Sequence, residues 1–217
     1  LKSRIFTPFS LMVRKNDICL EEGKLRIKKD SNYKKDVRNF FNFYQDNFSW
    51  GAGGKEVTEN FELGLKLCDI NLKNLLKKYT LHNIDDRHQG DWDEVIKKQF
   101  LQSRSISPFE REQFIAPIFE LVNHGFNSLP FIINSKGIST PFSTPTVNEL
   151  KINYSVYLDP LNRFFSYGFC SDETIVYSLP FNITLYENEN FQLTCLGKNL
   201  SNDTIKINRE NKNITLE

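Results

Sequence analysis

The apolar positions of this chain change their spacing along its length, and the changes divide it. Leu25-Arg26-Ile27 suits a short strand, and the Lys-rich residues 28–35 suit turns. From Asp36 to Trp50 the spacing becomes helical, because Phe40, Tyr44 and Phe48 fall four apart with Val37 and Phe41 beside them. Such an aromatic stripe is a core face. Gly51-Ala52-Gly53-Gly54 then breaks the helix. It lacks the Gly-Lys-Ser/Thr ending of a phosphate loop and follows no strand, so it reads as a flexible connector. Thr58 is placed to cap a long helix from Glu59 to about Tyr79, with Phe61, Leu65, Cys68, Leu72, Leu75, Leu76 and Tyr79 as its stripe. A polar loop from His82 to Asp91 follows. Asp91 or Asp93 can cap the next helix, Trp92 to Ser103, whose inner face is Trp92, Val95, Ile96, Gln99 and Phe100.

The second half reads differently. Phe114 to Val122 is an apolar run with Pro117 set in it. Phe131-Ile132-Ile133 suits a strand, and the Pro, Ser and Thr residues up to Val147 suit a loop. Leu150 and Ile152 alternate as in a half-buried strand. Asp159 to Phe169 reads as a helix with Leu161, Phe164 and Phe165 inward and Gly168 just past its end. Ile175–Thr184 and Phe191–Leu196 read as strands, with a hairpin over Thr204–Leu216. The pattern predicts an α+β chain in which helices occupy about residues 36–104 and strands dominate the end.

Composition narrows the partners. Hydrophobic residues make up 39% of the 217 and charged residues 25%, enough to bury a core. The net charge of +1 gives no global attraction to nucleic acid or to an anionic membrane. No apolar run reaches the roughly eighteen residues of a membrane-spanning helix. The 19 Phe, with abundant Asn and Lys and scarce Ala, fit an AT-rich coding sequence, which makes composition a weak guide to chemistry. Lys2, Arg4, Arg14 and Lys15, with no acid before Asp17, suit either a mitochondrial presequence remnant or an ordinary basic terminus. The four cysteines show no C-x-x-C, and His82 and His88 flank Asp85-Asp86 at the spacing of no familiar metal site. No metal is expected. Thiols without disulfides in a reducing, intracellular compartment are the expectation, mitochondrial, cytoplasmic or nuclear.

One ordered set of residues carries a candidate chemistry. The helix that begins at Trp92 ends in Ser103-Arg104-Ser105. The apolar run with Pro117 closes in Asn123-His124, with Glu120 three residues before Asn123. Asn148-Glu149-Leu150-Lys151-Ile152-Asn153-Tyr154-Ser155 follows, and then Tyr167-Gly168-Phe169. This order resembles the SET methyltransferases related to the Rubisco large-subunit methyltransferase, over about residues 92–185. The resemblance implies a SET-like fold of small sheets with a helical insert at about 36–104. It places a SET-like domain at 1–185 and a short β-rich extension at 186–217. It implies S-adenosylmethionine as cofactor, held by Arg104, Asn123, His124 and Tyr154, with Tyr154 catalytic and Tyr167 and Phe169 walling the substrate lysine channel. Arg suits a carboxylate because it is permanently charged and forked. His124 is expected to be structural, not a general base.

The sequence also departs from the family. Glu120 stands where the family has Asp, Asn148 and Ser155 stand where it has Gly, and no Gly-x-Gly lies on the opening strands. Two functions therefore follow from the resemblance. One is a protein-lysine N-methyltransferase acting on a protein substrate. The other is a catalytically inactive SET-like structural subunit of a larger protein assembly, for which the mitochondrion is one candidate compartment.

Overall fold

The computed structural model describes residues 4–79, 82–125, 128–141, 149–154, 160–170, 181–185 and 191–195. It is α+β: helices and small sheets alternate along the chain. Four short strands come first: β1 (Phe6–Pro8), β2 (Val13–Arg14), β3 (Ile18–Glu21) and β4 (Lys24–Ile27). Five helices follow: α1 (Lys35–Asn47), α2 (Lys55–Lys66), α3 (Ile70–Tyr79), α4 (Ile84–Arg87) and α5 (Trp92–Arg104). Then come β5 (Ser105–Phe109), β6 (Glu112–Ile115), β7 (Asn123–His124), β8 (Ile132–Asn134), β9 (Gly137–Ser139) and β10 (Lys151–Ile152). Helix α6 (Pro160–Tyr167) and strands β11 (Phe181–Leu185) and β12 (Phe191–Cys195) close the series.

The chain forms two compact units, Leu1–Tyr154 with Phe165–Gly168, and Ser155–Phe164 with Phe169–Glu217. The first holds four small sheets: β1-β9-β8 and β2-β6-β5, both antiparallel, the β3-β4 hairpin, and the parallel pair β7-β10. In the second, β11 and β12 pair antiparallel from Phe181↔Cys195 to Leu185↔Phe191. The expected hairpin over 204–216, the residues 175–180 of the expected strand, and the departures Asn148 and Ser155 lie outside the described residues.

Two apolar clusters build the first unit. One joins α1 and α5 to β2–β4 through Val13, Ile18, Leu25, Ile27, Phe41, Trp50, Ile96, Phe100 and Ile115. Trp50 meets Phe100 edge-on at 4.8 Å, and its indole N–H donates to the Gly23 carbonyl at 3.0 Å. The other cluster gathers Met12, Phe114, Ala116, Phe119, Val122, Ile138 and Ile152. It lies under the candidate site.

Three expectations change. The inner face of α1 is Phe41, Tyr44 and Gln45, and Phe48 lies beyond the helix, about half exposed. The glycine stretch, Trp50–Gly54, is a tight kink between α1 and α2, where Ala52 and Gly53 leave helical backbone angles and Gly53 takes φ 90°. A Cβ at Gly51 would sit 1.9 Å from the Asp46 carbonyl oxygen, so glycine is there to let two backbones meet. The long helix 59–79 is two helices. The first starts at Lys55, and Thr58 sits inside it, its hydroxyl donating back to the Gly54 carbonyl at 2.8 Å. Asp69 begins the second by accepting the Asn71 N–H at 2.7 Å. The apolar residues around this break, Leu67, Ile70, Leu72 and Leu75, are all exposed, so they form no continuous buried stripe.

Candidate functional site

Strand β7 is two residues long, and β10 lies parallel to it, with Asn123 opposite Lys151 and His124 opposite Ile152. The Gly125 N–H extends the pairing to the Ile152 carbonyl at 2.9 Å. A Cβ on Gly125 would come within 2.8 Å of the Lys151 Cβ, so the close approach of the strands requires glycine here. The pairing delivers Tyr154 against the segment 122–124. The Tyr154 backbone N–H donates to His124 Nδ1 at 3.2 Å, and its hydroxyl donates to the Val122 carbonyl at 2.6 Å. Two bonds thus hold this tyrosine, one at each end. Because His124 Nδ1 accepts a hydrogen bond, the ring proton sits on Nε2. The imidazole positions Tyr154 in this state.

A narrow pocket of about 40 Å³ opens beside the Tyr154 ring. Arg104, Ser105, Phe119, Glu120, Val122, Phe131 and Tyr167 line it with Tyr154. The Tyr154 and Tyr167 rings stand 4.9 Å apart. Arg104 closes α5, its guanidinium 4.8 Å from the Phe100 ring and 3.5 Å from the Glu120 carboxylate. Burial, with smaller effects from Tyr167 and Glu120, pushes the Tyr154 hydroxyl up to about 12, against the opposing pull of Arg104. It is therefore a neutral hydroxyl at any physiological pH, a hydrogen-bonding group and not a base.

The expected site residues fall in three places. Arg104, Tyr154 and Tyr167 line one pocket. Asn123 and His124 sit on the adjoining strand, where Asn123 is exposed and donates to the Glu149 carboxylate at 2.5 Å. That bond, then Lys151, holds the Glu149 carboxyl below the usual range. Phe169 belongs to the second unit. The sequence reading missed that Ser105 and Phe119 join the pocket. It also noted Glu120 only as a departure, although an acid inside an apolar run is a signal for a buried charge. His82 and His88 have other work: His82 stacks on Phe165 at 4.3 Å, and His88 Nε2 lies 3.0 Å from the Glu62 carboxylate.

No protein-family model matches the chain, and no curated protein matches it. Among the described residues no helix is long and apolar enough to cross a membrane.

The fit to S-adenosylmethionine can be judged from the donors present. Arg104 offers a permanent cation for a carboxylate. Tyr154 and the Val122 carbonyl offer oxygen atoms around a space the size of a methyl group or a water. These groups suit the amino-acid and methyl end of such a molecule. The nucleoside is far larger than 40 Å³ and would have to lie outside this pocket.

Proposed function

We propose that this chain has a SET-like fold and is an S-adenosylmethionine-dependent protein-lysine N-methyltransferase. The observation that carries the reading is the double tether of Tyr154, at its N–H by His124 and at its hydroxyl by Val122, beside Arg104. The parallel pair β7-β10 supports it, because it joins the two motifs that the resemblance requires to meet.

The cofactor, when bound, supplies an electrophilic methyl on a sulfonium. The reaction breaks that C–S bond, forms a C–N bond to the lysine amine, and leaves one proton for solvent. The chain's own residues orient and dry the centre. Arg104 holds a carboxylate. Phe119, Phe131 and Tyr167 exclude water, which lowers the proton affinity of an entering ammonium so that it arrives neutral. Tyr154, kept neutral by burial, aligns the reacting groups in line without taking a proton. The protein substrate would enter from the aromatic side.

Tyr154→Phe tests this. Methyl transfer to a lysine substrate should fall at least a hundredfold while S-adenosylhomocysteine binds as before, since only a group at the reaction centre separates the two. A variant that keeps full activity would remove Tyr154 from the mechanism.

A second reading has one observation in its favour. The pocket is small, and Arg104 is turned towards a buried carboxylate inside the protein. Both suit an inactive SET-like subunit that contacts neighbouring proteins. Calorimetric titration with S-adenosylmethionine, beside Asn123→Ala, separates the two. Micromolar binding weakened by the substitution supports the enzyme, and a folded chain that binds nothing supports the subunit.

A further inference from the structure

The Glu120 side chain is fully buried, and its closest cation, Arg104 Nη1, is 3.5 Å away. Among the described residues the hydrogen bond of good geometry that it accepts is a long one, 3.4 Å from the Gln45 amide to Oε1, while the Tyr44 hydroxyl and Ser49 Oγ face the carboxyl without good alignment. The Tyr44 hydroxyl and Ser49 Oγ are buried and interact with the carboxyl only through poorly aligned contacts, and Ser105 Oγ is a buried polar atom without a well-formed hydrogen bond. A carboxylate in such surroundings is weakly satisfied, and it stands next to Arg104, the one cation among the described residues that line the pocket.

This inference rests on the methyltransferase reading and deepens it. We propose that Glu120 is a positioning residue for Arg104 that makes the pocket take up a proton together with a carboxylate-bearing ligand. With Glu120 ionised, Arg104 is neutralised from inside, and an incoming carboxylate meets a pair with no net charge. With Glu120 protonated, the guanidinium is left to the ligand. The groups facing Glu120 are Arg104 from α5, Tyr44, Gln45 and Ser49 from α1 and its end, and Tyr154 and Tyr167 across the pocket. Burial raises the Glu120 carboxyl above the usual range despite the opposing Arg104 and the hydrogen bonds from Ser49, Gln45 and Tyr44. A ligand carboxylate at Arg104 would raise it further, so affinity falls as pH climbs between the two values.

The test is calorimetric titration of the whole chain with S-adenosylhomocysteine between pH 5.5 and 7.5, in buffers of different ionisation heat. That range lies below the titration of the ligand's own ammonium. The expected result is uptake of up to one proton per ligand and an affinity at least threefold weaker at the upper pH. Methylthioadenosine, which lacks the carboxylate, should show neither effect. This comparison needs no variant. In Glu120→Gln the uptake should vanish. Binding of S-adenosylhomocysteine without proton uptake, or uptake that survives in Glu120→Gln and so belongs to another group, overturns this inference and leaves the methyltransferase reading standing. A folded chain that binds no S-adenosylhomocysteine at any pH overturns both.

Discussion

Two glutamates are buried in the first unit, and their surroundings are opposites. Glu62, on α2, has no exposed surface. Arg87 grips it through Nε at 3.0 and 3.1 Å and through Nη2 at 2.6 Å, and His88 lies 3.0 Å from its second oxygen. Gln99 continues the network, accepting from Arg87 and donating to the Phe165 carbonyl at 3.2 Å. Every oxygen of Glu62 has a close partner. The Glu120 side chain is also buried, but among the described residues its cation stands at 3.5 Å, its hydrogen bond from Gln45 is long, and Tyr44 and Ser49 face it without good alignment. A saturated carboxylate does mechanical work, here pinning α2 to α4 and α5. An under-satisfied one beside a pocket retains capacity to respond to a ligand.

The sharpest way to break this contrast is to remove each charge without changing volume. Glu62→Gln leaves Arg87 mostly buried without its counter-ion, and an uncompensated buried charge costs about 3–5 kcal/mol. Urea unfolding should show a loss of that order, with α4 the first segment to gain hydrogen exchange. A loss below about 1 kcal/mol would mean that the network is no stronger than a surface pair.

How far the sequence could foresee this contrast depends on range. The helices 92–104 and 160–167 were legible because their caps and apolar spacing are local: Asp91 accepts the Asp93 N–H, and Gly168 takes φ +80° just past the end of α6. The meeting of Arg104, Tyr154 and Tyr167 in one pocket was legible only through the order of motifs, because it depends on a parallel pairing across 28 positions, Asn123 with Lys151. The Glu62–Arg87–His88 network was not legible. Glu62 lies on α2 while Arg87 and His88 stand at the end of α4, 25 and 26 positions away, and a polar stretch such as 82–91 looks solvated until tertiary packing closes over it. The break at Asp69 was missed because the apolar residues near it continue at helical spacing although they are exposed. Spacing alone does not show which face is covered.

Glu120→Gln should do the reverse of Glu62→Gln, and by less. A group whose proton affinity rises on folding contributes most stability when protonated. That contribution is complete below its unfolded titration, near 4.5, and is lost as pH climbs through the folded value. The wild type should therefore lose ground to Glu120→Gln from about pH 4 upward. At pH 7 the variant should be as stable or more stable, by roughly 1 kcal/mol. Paired urea titrations at pH 4 and pH 7 check this. Destabilisation that is equal at both values would show that Glu120 is as well satisfied as Glu62, and the comparison would collapse.

The smallest effect concerns the backbone beside Glu120. Among the described residues three non-glycines have positive φ: Glu22, Arg111 and Ile118. Glu22 and Arg111 stand in the β3-β4 and β5-β6 hairpin turns, where such angles are ordinary. Ile118, at φ 69° and ψ −46°, is a β-branched residue immediately before the turn that carries Phe119 and Glu120 inward. Nothing comparable stands next to Glu62. Strain of this kind is of order 1–3 kcal/mol and persists where a function needs the geometry. Ile118 is half exposed, so Ile118→Gly sacrifices little burial while relieving the strain. The gain is offset in part by the greater freedom of glycine in the unfolded chain. Unfolding should move by less than about 1 kcal/mol, in either direction. The proton uptake on binding S-adenosylhomocysteine should shrink, because a relaxed turn no longer holds the carboxyl in its buried place 3.5 Å from Arg104. If the variant unfolds more than about 2 kcal/mol more easily, Ile118 is held by packing and not strained, and the turn is ordinary scaffold.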